Sequence, residues 1–234
     1  MIKIHTIVVS DFYQNARIIY DTTQCKCCII DPGANINALV SHIDFSIYTV
    51  ESIFLTHCHI DHAGGVIPLL NELKKYQREK VTLYYHSKEI IIGENIENYG
   101  KAIGLPDNEF FNAPKPDILV DTIDTFKVGA ITAQVLATPG HSPGHVSLFF
   151  SGYQSKLSGY FSLEQSTDSP ILIAGDCLFR ESIGRTDLPF SSHQDLMSSI
   201  KDTLFKLPKE TIVLSGHGHN TTIGHEKEFN PFIN

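Results

Sequence analysis

The 234-residue chain has no run approaching the roughly 18 consecutive apolar positions of a membrane-spanning helix. No basic tract offsets its net charge of -8, which argues against a nucleic acid or an anionic membrane as partner. The N-terminus lacks the long apolar core and small-residue cleavage site of an export signal; Met1–Ser10 alternates like a first strand instead. Linkers, low-complexity tracts and exact internal repeats are missing too, so a single domain spanning 1–234 is expected. Five cysteines are an odd number for a disulfide framework and, without an export signal, point to the reducing cytoplasm. Hydrophobic residues make up 42% and charged residues 19%, which is the balance of a globular protein with a sizeable core.

Cys25, Cys27 and Cys28 crowd one segment, but that segment continues as Ile29-Ile30-Asp31-Pro32-Gly33, a strand entering a turn. On a strand Cys25 and Cys27 face one way and Cys28 the other, so buried structural thiols are expected rather than a metal-binding trio. Short apolar runs closed by Gly, Pro, Asp or Asn recur at Ile2–Val9, Ala16–Tyr20, Cys27–Ile30, Ile53–Thr56, Val81–His86, Phe126–Val128, Ile131–Thr138, Val146–Phe150, Ile171–Ala174 and Thr211–Ser215. Helical patterns fall at Ile36–Ile43, Val66–Arg78, Lys88–Tyr99 and His193–Leu207, the last ended by Pro208. This order predicts an α+β fold in which two mixed sheets pack face to face with helices outside. Residues 151–169, rich in Ser, Gly and Tyr and without a clear period, read as a surface insertion.

The densest chemical signal is Thr56-His57-Cys58-His59-Ile60-Asp61-His62, directly after the apolar Ile53-Phe54-Leu55. In extended backbone His57 and His59 share a side and can grip one ion. Asp61 and His62, at the turn before Gly64-Gly65, are free to face a second. Imidazole and carboxylate without thiolate suit zinc, iron or manganese. Cys58, between the two histidines, should point away. Three later segments end a strand on a residue of the same type: His141 after Pro139-Gly140, Asp176 after Gly175, and His217 after Gly216. The glycine before each allows a sharp exit and close backbone approach.

His57-x-His59-x-Asp61-His62 followed by His141, Asp176 and His217 resembles the metallo-β-lactamase superfamily. That resemblance implies an αββα sandwich with two divalent metal ions at one edge, most simply zinc. His57, His59 and His141 would hold the first ion, Asp61, His62 and His217 the second, with Asp176 bridging. Gly175-Asp-Cys-Leu-Phe-Arg-Glu-Ser-Ile-Gly-Arg-Thr-Asp-Leu-Pro189, Gln14-Asn15, Ile30-Asp-Pro-Gly33 and Thr221-Thr-Ile-Gly-His-Glu-Lys-Glu-Phe-Asn-Pro-Phe232 are similar to the compact glyoxalase-II-like branch. The chain departs from that pattern in the longer stretch 151–169 and in His219, where proline is usual. It also ends before the helical extension that helps the long glyoxalase II enzymes hold glutathione.

The expected activity is therefore hydrolysis of a small-molecule thioester, an S-acylglutathione such as S-D-lactoylglutathione. Two adjacent cations lower the pKa of a shared water and stabilise an oxyanion, and Asp61 is placed to orient that nucleophile. A thiolate, whose conjugate acid has a pKa of about 8.5, departs without a proton donor. A mono-iron persulfide dioxygenase, using the positions of His57, His141 and Asp176, is the first alternative; a lactonase or phosphodiesterase on the same scaffold is the second. Arg185 is either the partner of a substrate carboxylate or one half of a structural ion pair with Asp187 or Glu181. His145 either orients a ligand or stabilises its turn. His219 is expected to serve its loop.

Overall fold

The computed structural model describes residues 1–159 and 162–233. The first sheet holds β1 (Ile2–Val9), β2 (Gln14–Asp21), β3 (Lys26–Ile30), β4 (Thr49–Phe54), β5 (Thr82–Tyr85) and β6 (Ile118–Leu119) in sequence order. The second is built on β7 (Thr125–Val128), β8 (Ile131–Ala137) and β9 (Val146–Phe150). The chain then returns to the first sheet as β10 (Ser155–Gly159) and β11 (Ser162–Thr167), with β10 lying parallel beside β1. It re-enters the second as β12 (Ile171–Gly175), and after the small hairpin β13 (Leu178–Phe179) and β14 (Ser182–Ile183) completes it with β15 (Ile212–Ser215) and β16 (Thr221–Thr222).

Strict alternation along these strands produces four layers. Ile19, Cys28, Ile30 and Phe54 point between the sheets to meet Phe126, Leu148, Ile173 and Leu214. Their neighbours Ile18, Cys27, Ile29 and Ile53 point outward, under Leu39, Val40, Val66 and Leu69 of α1 (Ile36–Ser41) and α3 (Val66–Leu73). On the far side Leu172, Ala174 and Val213 are covered by Leu196, Ile200, Leu204 and Ile223, of which Leu196 belongs to α6 (His193–Ser198) and Ile223 to α7 (Ile223–Phe229). The αββα sandwich is the observed fold.

Several expectations change in detail. Residues 151–169 are no patternless loop: β10 and β11 widen the first sheet, and Leu157 is buried in the inter-sheet core. Residues 160 and 161 of that stretch lie outside the described residues. Cys27 and Cys28 are buried on opposite faces, but Cys25 is exposed, in a turn at φ 54°. The helix expected over Val66–Arg78 stops at Leu73, where Gln77 turns back to bond the main chain of Val50 on the first sheet. Lys88–Tyr99 breaks into α4 (Ile90–Gly93) and α5 (Ile96–Ala102). His193–Leu207 widens into a π-turn at Ser199–Thr203, where Ser199 Oγ bonds the carbonyl of Pro139. Among the described residues, no helix is long and apolar enough to cross a membrane.

Candidate metal centre

The strand ends of both sheets deliver the polar residues to one edge. β4 runs out through Leu55 and Thr56 into a loop carrying His57 and His59, and the short helix α2 (Ile60–Ala63) carries Asp61 and His62. From the second sheet come His141 between β8 and β9, Asp176 directly after β12, and His217 after β15 with Gly216 between. Three sets of ligand-type atoms lie within 4.8 Å of one another: those of His57, His59 and His141, of His57, His62 and Asp176, and of Asp61, His62 and His217. All seven residues expected at the site are thus brought together.

Their orientation is fixed from behind. The Asp31 carboxylate accepts from the Thr56 amide and hydroxyl, each at 2.7 Å, and from His62 Nδ1 at 2.9 Å. Thr56 Oγ1 in turn lies 3.0 Å from His57 Nδ1. His141 Nδ1 donates to the carbonyl of Arg185 at 2.9 Å, and His217 Nδ1 to the carbonyl of Phe12 at 3.1 Å. Each of these four rings therefore has Nδ1–H occupied by an oxygen, which leaves Nε2 as the atom turned toward the cluster. His59 offers Nδ1, 2.9 Å from His141 Nε2. His57 Nε2, His62 Nε2 and Asp176 Oδ1 are buried without a hydrogen-bond partner. Buried polar atoms without a well-formed hydrogen bond are costly, and a convergent set of them fits bound cations.

The electrostatics divide the cluster. Burial, reinforced by the neighbouring histidines, pushes His57 well below its usual value, and burial with His141 pushes His59 down to about 3. His141 is lowered as well, again mainly by burial. These three rings are therefore neutral. Burial would also lower His62, but the carboxylates of Asp176, Asp61 and Asp31 outweigh it and hold that ring well above the ordinary range. Burial would raise Asp176, and His62 and His217 pull it well below instead. Asp176 Oδ1 sits 3.3 Å from His62 Nε2, and Oδ2 sits 3.4 Å from His217 Nε2 and 3.6 Å from His141 Nε2. Asp176 is therefore central to the cluster. Asp61 Oδ2 faces His217 Nε2 at 3.1 Å.

Close approach demands glycine at two of the strand exits. A Cβ on Gly216 would fall 2.0 Å from Asp176 Oδ1, and one on Gly175, at φ +50°, would fall 2.6 Å from His145 Nε2. His145 is the orienting residue of the two readings open to it: its Nε2 accepts the Asp176 amide at 3.0 Å, while Nδ1 pairs with Thr138 Oγ1 at 2.8 Å. Burial holds it near 3, so it remains a neutral acceptor. Cys58 turns into the core beneath the helices, Cys177 into that of the second sheet, and His219 is exposed. Arg185 places its guanidinium in a two-pronged pair with Asp187, at 2.7 and 2.8 Å, both side chains more than 60% exposed. Only its backbone carbonyl reaches the cluster.

Sequence reasoning passed over three supports. Asp31 was visible in an Asp-Pro-Gly turn at a strand exit, as Asp176 is at another. Glu89 carried no such signal, yet it is fully buried and accepts the amides of Cys58, at 2.9 Å, and Gly144, at 2.7 Å. It thereby ties the His57–His59 loop to the His141–His145 loop. Asn15 and the fully buried Arg17 bond the carbonyl of Ser215, at 3.0 and 2.5 Å, and so anchor the exit that carries His217.

The profile of the Metallo-beta-lactamase superfamily matches residues 12–154. The chain belongs to the metallo-beta-lactamase superfamily. Enzymes of this superfamily are metal-dependent hydrolases, and its fold binds divalent metals. This superfamily member is 31% identical to the hydroxyacylglutathione hydrolase GloC of Haemophilus influenzae, over 99% of this chain and 98% of that one. Among solved structures it is similar to the BLEG-1 B3 metallo-beta-lactamase, with 32% identity, a TM-score of 0.80 and 99% of both chains covered. It is also similar to TTHA1623 in a di-iron-bound form, with 30% identity, a TM-score of 0.74, and 97% and 98% coverage.

Proposed function

We propose that this protein hydrolyses thioesters, with an S-acylglutathione such as S-D-lactoylglutathione as the substrate class. The observation that carries this reading is the convergence of seven ligand-type side chains at one edge, five of which, His59, Asp61, His141, Asp176 and His217, line a cavity of about 680 Å³ open to solvent. Likeness to GloC along nearly the whole chain supports the thioester. His57, His59 and His141 would hold one divalent cation and Asp61, His62 and His217 a second, with Asp176 between them. The hard and borderline donors suit zinc, and equally iron or manganese. When bound, such cations supply a water acidified towards neutrality and a Lewis acid for the carbonyl oxygen.

The chain's own groups do the rest. Asp61, held by His217, is positioned to orient the attacking water. His145 and Asp31 keep Asp176 and His62 in place through the hydrogen bonds already described. The imidazoles and carboxylates of the site are committed to one another, so a leaving group that needs no proton is the better match. A thiolate is one; an amide nitrogen is not.

Arg185 adds little affinity for a substrate carboxylate. Displacing Asp187 exchanges one exposed ion pair for another, each worth about 0–1 kcal/mol.

The similarity to a B3 metallo-beta-lactamase supports a second reading, hydrolysis of the β-lactam amide. One assay separates them. Protein loaded with zinc, iron or manganese is given S-D-lactoylglutathione, and released thiol is measured; a chromogenic β-lactam is tested in parallel. Chelator-sensitive thiol release is the expected result. Lactam opening without thiol release would overturn the proposal.

A further inference from the structure

The cavity above the cluster has an unusual mouth. It is lined by Ile91 and Tyr99 of α4 and α5 and by Leu188 and Phe190, with Phe12 and Phe179 beside His217 of the cluster. Three of these are large apolar side chains well exposed to solvent: Ile91 at 52%, Tyr99 at 42% and Phe190 at 59%. Phe190 is also held at φ +67°, a region a bulky residue avoids. Backbone strain retained on an exposed aromatic ring is a mark of a site where a ligand is gripped. Among the described residues lining the cavity, Arg185 is the single lysine or arginine, and Asp187 already occupies it.

A mouth built this way has little to offer a charged ligand and much to offer an apolar one. The same cavity is lined by His59, His141 and Asp176, where the scissile carbonyl must sit. Whatever covers it is thus attached to that carbonyl.

We propose that the collar of Ile91, Tyr99, Leu188 and Phe190 is an acyl-chain site, and that the preferred substrates are thioesters of apolar, medium-length acyl groups rather than of small polar ones such as lactoyl. This rests on the thioester reading above. The glutathione part, with its charges, stays toward solvent.

Burial of a methylene multiplies binding by up to about fourfold. With half or more of that realised at a partly open mouth, kcat/KM gains about two- to fourfold per methylene. Between acetyl and hexanoyl, four methylenes longer, the gain is about 16- to 250-fold.

The test uses metal-loaded protein and a series of S-acylglutathiones from acetyl to octanoyl. In parallel, calorimetry measures binding of the matching S-alkylglutathione thioethers, which cannot be hydrolysed. Rising kcat/KM with chain length, together with a slope at least halved in Phe190→Ser or Ile91→Ser, supports the proposal. Both positions are exposed, so these variants are expected to fold, and the wild-type series is decisive without them. Thioester hydrolysis with no dependence on chain length overturns the acyl site but leaves the hydrolase reading intact. Thioether binding that strengthens with chain length, without turnover of any thioester, does the reverse. A flat series combined with a wild-type dimer that Phe190→Ser dissociates also overturns the proposal, because a second copy would then be the occupant.

Discussion

Glu89 offers the sharpest test of how the centre is held. Its carboxylate is fully buried, and its two oxygens accept one amide each, Oε1 from Gly144 at 2.7 Å and Oε2 from Cys58 at 2.9 Å. Those amides belong to the two loops that carry His57 and His59, and His141 and His145. Glu89→Gln keeps one acceptor but turns an NH2 group toward the other amide. One buried donor is left unmet, at a cost of about 1–3 kcal/mol. Glu89→Ala leaves both unmet and costs about twice that. For a chain of this size each kcal/mol lowers Tm by about 2–4 °C. The Gln variant should therefore melt about 2–12 °C below wild type, and the Ala variant lower still. Thermal unfolding of chelated protein, followed by circular dichroism, reads the effect without bound metal masking it. The same loosening should weaken metal affinity about 10- to 100-fold, measured by competition with a chromophoric chelator. A Gln variant with wild-type Tm and wild-type metal affinity would refute the clamp.

Asp176→Ala should nearly abolish thiol release while the far-ultraviolet spectrum stays unchanged, because Asp176 lies among His62, His141 and His217 but outside the core; near-wild-type turnover would remove it from the centre. Arg185→Ala should change KM for a glutathione thioester less than about threefold, since the lost side-chain contact is an exposed pair; a tenfold rise would restore a substrate carboxylate as its partner. Chelation should lower Tm by about 5–10 °C from metal-replete protein, the shift of a ligand present at about 100 times its Kd; equal melting curves would mean that no cation joins the two sheets. Burial, helped by His42 and Lys3, depresses His5 to about 4, so the unfolded chain takes up its proton first as pH falls below 6.5. Stability should drop between pH 6.5 and 4 by about 1 kcal/mol after allowance for its half-exposed position. His5→Gln should flatten that part of the curve, and an unchanged slope would exclude His5 as its source.

The seven cluster residues were legible because each is a ligand-type side chain placed where an apolar strand stops. That arrangement encodes a common edge even when the strands are 80 or more residues apart, as those before His57 and His141 are. The layers were legible for a related reason: pairs such as Cys27 and Cys28, or Ile29 and Ile30, must face opposite sides of a sheet. Glu89 was not legible, because a carboxylate in the first turn of a helical segment is usually just exposed, and its partners are backbone amides that every residue has. The hairpin after Phe150 was hidden for another reason. Among the described residues its contribution to the inter-sheet core is Leu157, which sits among Ser, Lys and Gly, and its pairing partner β1 lies some 150 residues away. Helix ends failed where tertiary contacts overrode propensity. At Gly93 an added Cβ would come within 3.2 Å of Ala113, a packing contact that no local pattern announces.

The parallel pairing of β1 with β10 has a consequence for how the protein is made. Ile2–Thr6 leave the ribosome some 150 residues ahead of Ser155–Gly159, their partners on one side. Until those residues leave the ribosome, the edge of β1 stands open. At about 5–20 residues per second, that interval is on the order of 10 to 30 s. The waiting segment, Ile2-Lys-Ile-His-Thr-Ile-Val-Val9, is apolar and strand-forming, the kind of edge that pairs with whatever strand it meets. The nascent chain therefore passes through a stage at which the open edge of β1 is an aggregation hazard, and chains halted short of residue 155 never leave it.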